Sequence, residues 1–218
     1  MIYYIINLIL LLSICYYLYD YYYILEIDLR KDVKTNIRRD NLIDLYNIIT
    51  NISELSNTKP FILYGTLLGY IRNKDLICYD YDLDFGINNN DYEIFKTHLI
   101  NYLKDNKDIE IEIKDFMNMK STKLIHKNTG ISADIFTLSL NNYYYNRDVS
   151  KLYTKYYLNE NCVDMPKNWI DNLQKVLFLG RYTYIPNKPH ELLKCYYGTN
   201  YMTPDHTCNY DCSKCVKN

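Results

Sequence analysis

Alanine is all but missing from this chain, with one residue (Ala133) in 218. Glycine (6) and proline (5) are scarce, which excludes a collagen-like or linker-dominated sequence. Four histidines form no His-x-x-x-His pair, so no zinc-hydrolase helix is implied. Gly-x-Ser-x-Gly and Walker motifs are absent too. Net charge is nearly nil: 25 Lys+Arg against 26 Asp+Glu leave −1. Broad nucleic-acid binding leans on a basic surface, so no nucleic-acid partner is expected. At 23% charged residues the chain is not charge-rich disorder either. What fills the space is 27 Tyr and 25 Asn, the mark of an A/T-rich coding sequence. Single Tyr, Asn or Lys residues therefore carry little information. The length allows one domain, or one domain with an appendage.

Residues 2–19 contain no charge, and with Tyr21–Leu25 the apolar run nearly reaches the ~20 residues of a bilayer span. Tyr clusters at both ends suit interfacial belts. The reading is a single-pass membrane anchor over 1–25, with a cleaved signal peptide or a buried helix as alternatives. No basic n-region or A-x-A-like site supports the signal peptide. The side of the membrane stays open. Arg30, Lys31, Lys34, Arg38 and Arg39 after the run favour a cytosolic body, whereas the sequon Asn51-Ile52-Ser53 suits a lumenal one.

Residues 26–36 read as a stalk, 37–207 as the folded domain and 208–218 as a Cys-rich tail. Apolar residues recur at three and four from Ile37 to Leu55, an amphipathic helix. Phe61–Tyr64 is a short strand running into a Gly65-Thr66 turn, with a helix over Leu67–Arg72. Tyr79–Ile87 alternates as a strand. Asn88–Asp91 reads as a turn with Asp91 capping a helix over Tyr92–Leu103. Strands are expected at Ile109–Ile113, Thr122–His126, Ile131–Leu138 and Tyr182–Ile185. Helices are expected near Val149–Leu158 and from His190 to Tyr197. Strand and helix alternate, which places the chain in the α+β (α/β) class with one sheet.

The segment Cys78-Tyr79-Asp80-Tyr81-Asp82-Leu83-Asp84-Phe85-Gly86-Ile87 says most about chemistry. Read as a strand, it sets Asp80, Asp82 and Asp84 on one face and apolar residues on the other. Three carboxylates in a row repel, and a hard divalent cation removes the conflict. A solvated acidic edge is the plainer account. Upstream, Gly65 and Thr66 in a strand-to-helix turn can present backbone N–H groups to an anion. Downstream, Asp134 sits alone in an apolar strand, where a carboxylate costs free energy unless it is paired or ligated.

These elements, in order, resemble the nucleotidyltransferase fold, and more finely the LicD and fukutin-related family. Gly65-Thr66-Leu67-Leu68-Gly69-Tyr70-Ile71-Arg72 is similar to the family's Gly-turn block. Ile77 through Gly86 is similar to its acidic block, and Asp134-Ile135-Phe136 to its later Asp strand. Ile185-Pro186 through Pro204, with Tyr196-Tyr197-Gly198, looks like its C-terminal signature. Cys78 and Tyr79 depart from the usual Pro and Trp, and the segment between Leu138 and Tyr182 is short, which bears on acceptor recognition.

The resemblance implies a mixed sheet flanked by helices, and an enzyme. That enzyme would move a phospho-alcohol (phosphocholine, or a polyol phosphate such as ribitol phosphate) from a CDP-linked donor to a hydroxyl of a glycan or glycolipid. Asp82, Asp84 and Asp134 would bind Mg2+ or Mn2+, with Asp80 as general base or supporting group. Gly65 and Thr66 would cradle phosphate, and Arg72 would hold a phosphate or brace the acidic strand. A nucleotidyltransferase using a nucleoside triphosphate and a non-catalytic glycan-binding protein are the alternatives. Seven cysteines at uneven spacing do not resemble a disulfide scaffold. Cys208, Cys212 and Cys215 in the tail admit a zinc site with His206 or Cys195 as fourth ligand, disulfides, or free thiols.

Overall fold

The computed structural model describes residues 36–116, 119–141, 144–147, 162 and 164–204. The expected anchor over 1–25, the helix near Val149–Leu158 and the tail cysteines lie outside the described residues. Among the described residues no helix is long and apolar enough to cross a membrane. The chain from Arg39 onward forms a compact unit.

Helix α1 covers 36–56, as the apolar spacing predicts. Leu42, Leu45, Tyr46, Ile49 and Ile52 are its buried stripe. Strand β1 (Phe61–Ile62) leads into α2 (Tyr64–Asn73), β2 (Asp82–Asn88) and α3 (Asn89–Leu103). Then come β3 (Ile109–Phe116), β4 (Met119–His126), β5 (Ser132–Asn141), β6 (Tyr144–Arg147) and β7 (Asp164–Pro166). A short helix α4 (Lys167–Ile170), the hairpin β8 (Gln174–Phe178) and β9 (Arg181–Ile185), and helix α5 (Pro189–Tyr197) complete the described order.

These strands form one mixed sheet in the order β3-β4-β5-β2-β1-β9-β8, with β6 pairing β5 and β7 pairing β6. The β2–β5 and β1–β9 pairs are parallel, and the other pairs are antiparallel. The mixed α+β architecture expected from the sequence is therefore the observed one.

The central strand separates two environments. Leu83, Phe85 and Ile87 are fully buried on one face of β2. Tyr46 of α1 packs against Phe85 there, ring centroids 6.2 Å apart. From α3, Tyr92 bonds Thr122 of β4 through their hydroxyls at 2.8 Å. Asp82, Asp84, Gly86 and Asn88 occupy the opposite face, by strand alternation. Over that second face Tyr64 of α2 meets Phe136 of β5 edge-on and Tyr196 of α5 at 4.6 Å.

Several local expectations change. Helix α2 starts at Tyr64, not Leu67, so Gly65 and Thr66 belong to its first turn rather than to a loop before it. Tyr64 takes a positive φ of 42°, which folds the chain from β1 directly into the helix. The cap of α3 is Asn88, whose side chain accepts from the Asn90 N–H at 2.9 Å, rather than Asp91. Strand β8 and the short β6, β7 and α4 were not expected; β8 is polar enough (Gln174, Lys175) to lack a clear alternating signal. Cys195 is bonded to Cys162, Cα atoms 5.6 Å apart, so it is not a spare zinc ligand for the tail.

Candidate active site

Register places the first two carboxylates. In the parallel β2–β5 pair, Asp84 lies directly opposite Asp134 and Asp82 opposite Ser132. Side chains in register on one face of neighbouring strands are close neighbours, and like charges there are destabilising. Asp134 in turn lies opposite Lys123 of β4, and Lys123 opposite Glu112 of β3. One row across four strands thus reads Glu112, Lys123, Asp134, Asp84. Within it the Lys123 ammonium donates to Asp134 Oδ2 at 3.0 Å.

Asp80 is not on that strand. It lies in the turn before β2, closed by its own N–H donating to the Ile77 carbonyl at 3.1 Å. The expected row of three carboxylates on one strand face is therefore two, Asp82 and Asp84, with Asp80 approaching from the turn. The turn wins because Leu76 and Ile77 are buried and anchor the chain just ahead of it. Asp80 still reaches helix α2, since a Cβ on Gly65 would stand 3.0 Å from Asp80 Oδ2. Gly65 is the residue that lets that carboxylate sit against the start of the helix.

Thr66 is buried, and its Oγ1 accepts from the Asp84 N–H at 2.9 Å. Leu63 N–H donates to the Asp84 carbonyl, also at 2.9 Å. The Thr66 hydroxyl thus locks β2 in place. The N-cap Leu63 offers that turn no side-chain hydrogen bond. An uncapped helix start of this kind attracts phosphate through N–H groups and dipole. Arg72 sits half-buried in the last turn, about 9 Å along the helix axis from Thr66.

The electrostatics follow from this crowding. Burial and the nearby Asp134 push the Asp82 carboxyl above its ordinary range, while Lys123 pulls it back. Burial works against the Lys123 ammonium, but the hydrogen bond to Asp134 and the charges of Asp134, Asp82 and Glu112 raise it above its usual value. Tyr197 of α5 is a further neighbour. Desolvation, then Asp84, Asp80, Tyr64 and Asp82, push its hydroxyl upward, although its ring remains 45% exposed.

Lys123 and Tyr197 were not foreseen as site residues. Lys123 falls on the outward positions of a strand whose Thr122 and Leu124 are buried, so alternation marks its face but not its neighbour. Tyr197 is part of the C-terminal Tyr-Tyr-Gly block, with nothing local to connect it to Asp84.

A family model described as "LicD/FKTN/FKRP, nucleotidyltransferase domain" matches residues 57–188, more than half of the chain. The chain belongs to the LicD/FKTN/FKRP family. The match spans β1 through β9 and takes in every carboxylate described above. No curated protein matches the chain in sequence. Among solved structures, the chain is similar to a crystal structure of ANT(2")-Ia in complex with adenylyl-2"-tobramycin. That pair shares 10% identity at a TM-score of 0.40, over 66% of this chain and 68% of the other. It is also similar to a solution structure of the antibiotic-resistance factor ANT(2'')-Ia, at 9% identity and a TM-score of 0.43, over 68% and 66%.

The donor chemistry of the site fits a hard divalent cation. Asp82, Asp84 and Asp134 are oxygen donors on adjacent strands, two of them opposed with like charge. Among the described residues no three His, Cys, Asp or Glu side chains close on a common point. Asp134 is instead paired with Lys123 of β4.

Proposed function

We propose that this protein transfers a phospho-alcohol, such as phosphocholine or a polyol phosphate, from a CDP-linked donor to a glycan or glycolipid hydroxyl. The observation that supports it best is the register that opposes Asp84 and Asp134 beside the uncapped start of α2, inside a matched LicD-family domain. Asp82, Asp84 and Asp134 would hold Mg2+ or Mn2+, which when bound supplies charge neutralisation for the transferring phosphate. The first turn of α2 at Gly65 and Thr66 receives the diphosphate through backbone N–H groups. Asp80, set in a turn against Gly65, accepts the proton of the attacking hydroxyl. Arg72 would hold a phosphate or brace the acidic strand. Residues 1–25 hold the domain at a membrane, where a glycolipid acceptor would be found. Cys208, Cys212 and Cys215 in the tail would hold zinc, form disulfides or stay as free thiols.

The test uses the full-length protein in detergent with CDP-choline, CDP-ribitol and CDP-glycerol, with and without Mg2+, following CMP. Divalent-dependent CMP release from at least one donor is expected. Pyrophosphate release from a nucleoside triphosphate, with no CMP from any CDP-linked donor, would replace the reading by nucleotidyl transfer.

A further inference from the structure

Lys123 stands at the centre of the charged row. It is opposed by Glu112 on one side and Asp134 on the other, and Asp84 follows on the next strand. Its ammonium lies 3.0 Å from Asp134 Oδ2, and the two side chains are 31% and 19% exposed. At that burial the pair is partly shielded from solvent, and its attraction exceeds that of a fully exposed surface pair. Without Lys123, the row would consist of carboxylates alone, with Asp82 adding a fourth from the same face. Directly opposed like charges push strands apart or turn side chains aside.

We infer that Lys123 is a positioning residue, a tethered cation that holds Asp134 in place in the ion-free protein and competes with the divalent cation for that carboxylate. The competition has a direction. To join Asp82 and Asp84 around an ion, Asp134 must leave Lys123, so every binding event gives up the Lys123–Asp134 contact. The protein thereby keeps Asp134 paired when no ion is present, at the expense of ion affinity. Glu112, opposite Lys123 in the β3–β4 pair, is itself paired with Lys114 at 3.7 Å, so Asp134 is the main partner of the ammonium. This inference rests on the reading that Asp82, Asp84 and Asp134 hold a divalent cation.

The experiment measures Mn2+ binding by calorimetry, without nucleotide, in full-length wild type, Lys123→Met, Lys123→Gln and Lys123→Arg. Melting temperature is followed in ion-free and Mn2+-saturated buffer. Lys123→Met and Lys123→Gln should bind Mn2+ tighter by roughly tenfold, the scale of one lost charge at a half-buried site. Both should melt lower than wild type in ion-free buffer, and saturating Mn2+ should restore them. Lys123→Arg keeps the charge and should behave like wild type. A merely structural lysine would lower the melting temperature equally with and without Mn2+; that result, or Mn2+ affinity no tighter in both neutral variants, overturns the inference. CMP release by the wild type separates the two readings. Turnover with unchanged Mn2+ affinity in the variants overturns the role of Lys123 alone. Tighter Mn2+ binding without any CMP release retires the proposed reaction and keeps Lys123.

Discussion

The two faces of strand β2 are built from alternate residues of one seven-residue segment, yet they answer to opposite physics. Leu83, Phe85 and Ile87 are wholly removed from water, with Phe85 against Tyr46 of α1. Asp82 and Asp84, one residue away in each case, stand in or beside a row of charges, Asp82 exposed and Asp84 half-buried. The buried face is stabilised by area removed from water, which is non-directional and tolerant of modest change. The charged face is held by register and hydrogen bonds, Thr66 to Asp84 and Lys123 to Asp134, and it costs stability rather than supplying it. One strand thus carries both the core that keeps the domain folded and the strain a ligand would relieve.

The largest separation of the two faces should come from Asp84→Asn against its neighbour Phe85→Ala. Asp84→Asn should lower CMP release by about 10²-fold or more, while leaving the ion-free melting temperature at or above wild type. Stopped turnover with an unfolded protein would mean that Asp84 serves the fold instead. Phe85→Ala should cost about 3–5 kcal/mol in denaturant titration, because Phe85 is fully buried against Tyr46 and leaves a cavity. A loss below about 1 kcal/mol would show that α1 does not pack on this face as described.

Gly86 tests where the charged face ends. A Cβ there would stand 2.6 Å from Leu138 Cδ1 and 2.7 Å from Phe61 Cζ. Gly86→Ala should therefore cost about 1–3 kcal/mol through overpacking, although it lies on the same face as Asp82 and Asp84. A neutral result would mean that the apolar plug beyond Asp84 is loose.

The smallest effect belongs to Asp82→Asn in ion-free buffer. The Asp82 carboxyl is raised in the folded protein, by burial and by Asp134. A raised carboxyl binds protons more tightly when folded, so it disfavours folding once pH exceeds its folded value. Asp82→Asn should then raise the melting temperature slightly at neutral pH, and the gain should vanish as pH falls below the ordinary carboxyl range. A gain that persists in acid, where both states carry a protonated Asp82, would point to packing rather than charge.

Much of this was readable in the amino acids. Helix α1 followed from apolar residues at three and four, and the two faces of β2 from strict alternation of Asp with Leu and Phe. The ordered blocks from Gly65 to Pro204 pointed to the family before any contact was known. Asp80 was misplaced on the strand because alternation continues through Tyr79 and Tyr81, and only the turn closed by Ile77 breaks it. The cap at Asn88 was missed because three asparagines in a row offer equivalent local signals, and the choice among them depends on where β2 stops.

By itself, then, the sequence determined which residues carry charge, which faces they share within one strand and where the main helices run. These are properties of neighbours along the chain, set by periodicities of two and 3.6. It did not determine that Asp134 faces Asp84, that Lys123 lies between Asp134 and Glu112, or that Tyr197 returns from the far end of the matched blocks to the same cluster. Those relations depend on strand order and register between segments tens of residues apart. They are decided only when the sheet assembles, because a one-residue slip in any pairing would move every one of these side chains to the other face.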